Sequence, residues 1–147
     1  MELVPLTHSV LRRRTMPVGR SYARDTIVKQ MWDVMYKSGG VGLAAPQVGI
    51  PLAVAVIDCE GWKDVLVNPR VIKRDGTRLC YEGCLSLPGG RYAVRRAKGV
   101  TVEYETVDGT MKTVKARKSV LSQCLEHETD HLRGVLIDGR KPTEVSL

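Results

Sequence analysis

The stretch Ser119-Val120-Leu121-Ser122-Gln123-Cys124-Leu125-Glu126-His127-Glu128-Thr129-Asp130-His131-Leu132-Arg133-Gly134 decides how the chain is read. Apolar Val120, Leu121, Cys124, Leu125 and Leu132 fall on overlapping helical turns. Ser119 stands where an N-cap belongs and Gly134 where a helix stops, so the spacing predicts an amphipathic to buried helix from Ser119 to Arg133. Inside it lies His127-Glu128-Thr129-Asp130-His131, an HExxH arrangement. Residues four apart share a helix face, so both imidazoles can converge on one cation while Glu128 lies beside it as a base.

A catalytic metal centre generally takes three protein ligands and keeps one position for water. Cys124 shares the face of His127, but it is about 10.5 Å along the axis from His131, too far to converge with His127 between them. It reads as pocket wall or core. The remaining candidates are Cys84 in Glu82-Gly83-Cys84-Leu85-Ser86, its weaker rival Cys80, and downstream Asp138 and Glu144.

Around this segment, 147 residues of 16.3 kDa with 43% hydrophobic and 27% charged residues suit one compact domain. Lys+Arg 23 against Asp+Glu 16 leaves a net charge of +7, scattered along the chain and therefore a weak pointer to anionic partners. No window approaches the roughly 20 apolar residues of a spanning helix, and the N-terminus lacks the regions of a signal peptide, so a soluble intracellular protein is expected. Four cysteines are few for a disulfide scaffold. An earlier helix is predicted from Asp25 to Lys37, with Asp25 as N-cap and Ile27, Val28, Met31, Trp32 and Met35 facing the core. Short strands are expected over Leu52 to Asp58, Val65 to Val67 and Val71 to Lys73, punctuated by Gly61 and Pro69. Thr101 to Val107 and Met111 to Arg117 flank Asp108-Gly109, a hairpin signal with one wet face. The residues after Gly134, Pro142 among them, leave little room for another long helix. No repeat or linker interrupts the chain, so a single α+β domain over residues 1–147 is expected.

Three ordered motifs then carry a resemblance: Gly40-Val41-Gly42-Leu43-Ala44-Ala45-Pro46-Gln47, Glu82-Gly83-Cys84-Leu85-Ser86 and His127-Glu128-Thr129-Asp130-His131. In order and spacing they resemble the peptide deformylase family over nearly the whole chain. The resemblance implies antiparallel β-sheets packed around a central helix that bears His127 and His131, with Cys84 as third metal ligand. It also implies removal of the N-formyl group from N-formylmethionine on nascent polypeptides, with release of formate. One divalent ion is expected, Fe(II) in the cell, with Zn(II), Ni(II) or Co(II) able to substitute.

A cation held by one thiolate and two imidazoles can lower the pKa of its water to about 7, which makes hydroxide the nucleophile at neutral pH. Glu128 is placed to act as base on water and then as acid to the leaving nitrogen. The family pattern assigns the oxyanion donors to the Gln47 side-chain amide and the Leu85 backbone N–H. Gly40 and Gly42 let a loop pass close to an extended substrate. An apolar pocket walled by Val41, Cys80, Val120 and Cys124 would take the methionine side chain. Glu82 would orient a metal ligand or pair with an arginine, and Arg91 and Arg96 also match the pattern, Arg91 with a substrate-backbone or structural role.

Relatives commonly carry Gln before the first His of the third motif and a C-terminal helix after it, whereas this chain has Glu126 and stops at Leu147. The extra carboxylate is expected to strengthen negative potential at the site. Ribosome docking, attributed in the family to that helix, would need another surface. A monomer is expected, with no membrane association, in the cytoplasm of a bacterial or phage-infected cell or in an organelle after processing. Two rival readings exist: an HExxH peptidase using Asp138 or Glu144, and a basic RNA-binding module with a structural metal. The absence of Phe and an aromatic content of 5% speak against the second, because stacking platforms are few.

Overall fold

The computed structural model describes residues 1–20 and 24–140, with the backbone alone of 88–90 and 139–140. Helix α1 spans Arg24–Lys37 and buries Val28, Met31 and Met35, while Ile27 and Trp32 pack half-buried against the same cluster. Asp25 lies inside its first turn rather than at the N-cap. There a carboxylate still complements the positive end of the helix dipole.

Five strands form one antiparallel sheet in the order β1 (Gly42–Ala44), β2 (Val54–Cys59), β3 (Trp62–Asp75), β6 (Gly99–Glu105) and β7 (Met111–Arg117). The two short strands expected on either side of Pro69 are one long strand, β3. It absorbs the proline through register shifts between Val67 and Arg70 and between Val71 and Lys73. Asn68 takes the left-handed conformation there (φ +49°) and its side chain bonds the Val18 backbone and Glu105. Bulges of this kind let a strand carry a residue that cannot donate to the ladder. The hairpin of β6 and β7 turns at Asp108-Gly109 as expected, with most of β7 exposed.

A second hairpin escaped the sequence reading. Strands β4 (Arg78–Cys84) and β5 (Leu87–Arg96) pair only with each other, through a turn at Leu85-Ser86 closed by Cys84 opposite Leu87. Along β4 the inner face carries Cys80, Glu82 and Cys84, while Tyr81 and Gly83 are exposed, the period-two alternation of a strand.

Helix α2 spans Val120–Leu132 and packs against β1, β2, β3, β6 and β7, which makes it the centre of an α+β fold. Ser119 caps it as the spacing predicts, its hydroxyl accepting from the Ser122 N–H at 3.0 Å. Burial reaches nearly all round: Glu126, Glu128, Thr129, Asp130 and His131 are as enclosed as Leu125. Each of these polar groups therefore needs a local partner.

The helix ends at Gly134 (φ +77°), where the N-terminal segment crosses it. Thr15 donates its N–H and hydroxyl to the Leu132 carbonyl, and Arg12 forms a bidentate pair with Asp138. A Cβ at position 134 would lie 2.7 Å from the carbonyl carbons of Arg12 and Arg13. Gly134→Ala should therefore cost about 2 kcal/mol through backbone strain and crowding. For a chain of this size that corresponds to a Tm lower by roughly 4–8 °C in thermal unfolding; an unchanged Tm would contradict the packing described.

Candidate metal centre

The β4 strand and helix α2 meet through three side chains. A ring nitrogen each from His127 and His131 and the Cys84 sulfur all lie within 4.8 Å of one another, and no other such cluster of His, Cys, Asp or Glu occurs among the described residues. Cys84 Sγ is 3.3 Å from His131 Nε2, and the two imidazole rings are tilted at 58° with centroids 5.0 Å apart. The β4 ladder shifts register between Glu82 and Cys84, which turns Cys84 toward the helix.

Behind these three side chains sits a charge network. Arg96, 2% exposed, forms a fork on Glu82 (Nε to Oε2 2.9 Å, Nη2 to Oε1 2.7 Å) and reaches Asp130 Oδ2 at 2.7 Å. Glu82 Oε1 in turn lies 3.0 Å from His127 Nδ1. Burial alone would raise the Glu82 carboxyl, but hydrogen bonds from Arg96 and His127 outweigh it and hold the group down at about 2. Glu82 is thus a permanent acceptor. It favours the tautomer with the proton on Nδ1 and leaves Nε2 of His127 for a cation.

Burial also works against a proton on His127, yet hydrogen bonds to Cys84 and Glu82 outweigh it and raise the ring to about 10. Metal ligation requires that proton to leave, so binding at this set releases protons. His131 is pushed well below the usual imidazole range, first by burial and then by the charges of His127 and Arg96, which keeps it in the neutral, ligating form. A thiol and two imidazoles at these separations fit a borderline-soft divalent cation.

Glu128 is 3% exposed, and its Oε1 has no hydrogen-bond partner. Burial pushes its carboxyl up to about 7 against the opposing charge of His127. The carboxylate lies on the Gly42 backbone: a Cβ at 42 would sit 2.5 Å from Glu128 Oε2. Opposite, Gln47 is buried, its Oε1 accepting the Ala44 N–H at 3.0 Å while Nε2 donates to Ser86 Oγ at 3.1 Å, 4.0 Å from Cys84 Sγ. Glu128, Gln47, Cys84 and Leu85 all line one cavity of about 450 Å³.

A family model described as polypeptide deformylase matches residues 1–144. A chain from Desulfitobacterium hafniense described as peptide deformylase is 40% identical over 144 residues, covering 97% of this chain and 95% of its own length. The chain belongs to the peptide deformylase family. Deformylases are metal-dependent hydrolases that remove the N-formyl group from newly made polypeptides, and that is the activity of this chain. Among solved deformylases, the Synechococcus elongatus enzyme in complex with actinonin superimposes with a TM-score of 0.89 at 39% identity, covering 95% of this chain and 77% of its own. The enzyme of the Vibrio parahaemolyticus bacteriophage VP16T gives 0.89 at 33% identity, with 93% of this chain and 100% of its own covered.

Several expected site residues stand elsewhere in this deformylase fold. Cys80 is buried on the inner face of β4 and is not among the cavity's lining residues, because the alternation that aims Cys84 inward sends Cys80 further down the hairpin, opposite Val94. Arg91 is exposed and donates to the Tyr81 carbonyl at 3.4 Å, outside the cavity lining. Glu126 adds no charge to the site: its Oε1 accepts the Ala97 N–H at 2.8 Å and its Oε2 pairs with Arg74 at 3.2 Å. Asp138 is held by Arg12, and Glu144 lies outside the described residues. Val41 and Val120 do line the cavity, half-exposed at its mouth, and Cys124 lines it from within. Sequence reasoning missed Asp130, Ser86 and Gln123. For Asp130 a signal existed, since a carboxylate on a helix buried all round demands a cationic partner.

The contact between Gly42 and Glu128 makes a sharp test. Gly42→Ala should displace the Glu128 carboxylate and lower kcat by roughly 10²-fold, the scale of an ångström-sized misplacement. Bound metal, measured by elemental analysis, should stay at the wild-type level.

Proposed function

We propose that Cys84, His127 and His131 hold one divalent cation and that Glu128 carries the protons of deformylation. The observation that carries this reading is a buried Glu128 with one partnerless oxygen, which lines the same cavity as Cys84 and His127, the two residues whose donor atoms converge with that of His131. When bound, the cation supplies Lewis acidity, polarising the formyl oxygen and acidifying water. Fe(II) is the ion proposed for the cell, with Zn(II), Ni(II) or Co(II) as substitutes, a choice that rests on the thiolate-imidazole donor set and the family resemblance.

The formyl group enters with its carbonyl oxygen toward Gln47 and Leu85. One Gln47 N–H is taken by Ser86, so the other remains on the Cys84 side, and with the Leu85 backbone N–H it receives the oxyanion as the carbonyl carbon turns tetrahedral. Because Oε1 of Gln47 is tied to Ala44, the amide cannot flip its oxygen toward that developing charge. Glu128 removes the proton from the attacking water and delivers it to the amine nitrogen as the C–N bond breaks, which releases formate. The Glu128 carboxylate fills the space that a Cβ at position 42 would take, so a glycine there lets it lie close against the strand.

β1 is the terminal strand of its sheet, and Gly40, Val41 and Gly42 line the cavity. An extended N-terminus pairs with this edge through main-chain hydrogen bonds, which demand little of the sequence beyond the first residue. The methionine side chain enters between Val120 and Cys124. The same reading takes residues 1–147 as one catalytic domain acting as a monomer on formylated nascent polypeptides, in the cytoplasm or an organelle.

The test is formate release from formyl-Met-Ala-Ser by anaerobically purified protein. Wild type should turn over, and metal-replete Glu128→Ala should lose activity by roughly 10²–10⁴-fold, the range general acid-base groups contribute. Cys84→Ala should lose its metal. A Cys84→Ala protein that keeps its metal and cuts unformylated peptides internally would replace this reading with that of a peptidase.

A further inference from the structure

Helix α1 ends at Lys37, and the chain reaches the β1 edge through Ser38, Gly39, Gly40 and Val41. Gly39, Gly40, Val41 and Gly42 all line the cavity. Asp58 of β2 grips this passage from both sides. Tyr36, before the glycines, donates its hydroxyl to Asp58 Oδ2 at 2.5 Å, and the Asp58 N–H donates to the Val41 carbonyl beyond them at 2.8 Å. The N–H groups of Ser38, Gly39 and Gly40 bond back to Val34, Tyr36 and Met35, so they tie the loop to the helix and not to the sheet. Val41 is 45% exposed, so side-chain packing does not hold it either. The Tyr36 ring is itself braced. It stacks on Trp32 with centroids 5.8 Å apart and planes at 16°, and the ammonium of Lys63, the cross-strand neighbour of Asp58, lies 4.8 Å from the Trp32 centroid and 5.5 Å from that of Tyr36.

This clasp sets how the edge faces. Val41 and Asp58 form a hydrogen-bonded pair of the antiparallel ladder, so the next pair, Gly42 with Ile57, is a non-hydrogen-bonded one. Gly42 therefore turns its N–H and carbonyl away from β2, to the open side of the terminal strand. Gly40 meanwhile lies against the hairpin turn, since a Cβ there would sit 2.8 Å from Leu85 Cδ1. We infer that Asp58, braced by Tyr36, is a positioning residue for the substrate's main chain, a clasp that holds the glycine loop and the Gly42 edge in their receiving form before substrate arrives. This role rests on the proposed pairing of an extended N-terminus with the β1 edge. Without the clasp, a loop with two adjacent glycines has to be ordered at the moment of binding, and the entropy lost then weakens association. Once the substrate is paired, the edge is ordered in either case, so the loss falls on KM and spares kcat.

The test compares nickel-loaded wild type with Tyr36→Phe, Asp58→Ala, their double variant and Asp58→Asn. KM for formyl-Met-Ala-Ser should rise roughly three- to tenfold in Tyr36→Phe and in Asp58→Ala, the scale set by one hydrogen bond, with kcat and bound metal at wild-type levels. The double variant should be no worse than Asp58→Ala, because both changes remove the same bond. Asp58→Asn keeps an oxygen for the Tyr36 hydroxyl and should recover most of the loss. Formyl-methionine amide, which has no following residues to pair, should show a smaller rise in KM. Amide exchange in peptides covering residues 38–43 should quicken roughly three- to tenfold in Tyr36→Phe, by the same scale. An unchanged KM or unchanged exchange in Tyr36→Phe, a kcat that falls by the same factor, additive losses in the double variant, an Asp58→Asn no better than Asp58→Ala, or an equal rise with formyl-methionine amide would each overturn the inference. Absence of formate from wild type would instead sink the proposed function, and amide exchange would still decide whether the clasp holds the loop.

Discussion

A guanidinium closed off from water at the heart of the molecule sets the terms for everything near it. Arg96 comes from β5, and its two carboxylate partners come from different elements, Glu82 from β4 and Asp130 from α2. Leaving such a charge without partners is costly, on the order of 3–5 kcal/mol for a broken buried pair. The hairpin and the helix are consequently locked in one relation. That relation carries the site, since Cys84 stands two residues from Glu82 on the same strand face and His127 accepts its orientation from Glu82 itself. Three candidate ligands, Cys84, His127 and His131, from two elements arrive together because the charges behind them must.

The other half of the site comes from close approach. Gly42 touches the Glu128 carboxylate, and the turn at Leu85 lies against Gly40, so the edge of the large sheet, the hairpin turn and the helix enclose one cavity. Gln47 closes it by spending its oxygen on Ala44 and one N–H on Ser86. Gln47 is held by Ala44 and Ser86, and the Glu128 carboxylate lies against Gly42, the kind of pre-organisation that the proposed hydrolysis of an unactivated amide requires.

What could be read from sequence follows from how local the signals are. The α2 helix, its Ser119 cap and its Gly134 stop lie within one short stretch, and HExxH needs only the helical period to bring its ligands onto one face. The β6–β7 hairpin announced itself through Asp108-Gly109. By contrast, Pro69 looked like a strand breaker, and only the bulge at Asn68 and its bonds to Val18 and Glu105 let β3 continue. The β4–β5 hairpin hides its pattern because its inner face alternates a cysteine, a glutamate and a cysteine in place of aliphatic residues. The standing of Arg96 over Arg91 and the withdrawal of Glu126 to Ala97 and Arg74 depend on pairings 14 to 52 residues apart in sequence, which no local period records.

The most direct test of this account is metal affinity and turnover of Arg96→Lys. Lysine keeps the charge but cannot form the fork that spans both Glu82 oxygens while reaching Asp130. The account predicts a folded protein whose metal binds roughly 10–100-fold more weakly, the usual effect of losing the groups that orient metal ligands, with kcat reduced even at saturating metal. Wild-type affinity and turnover in Arg96→Lys would show that the buried fork does not hold the site, and would contradict the account at its centre.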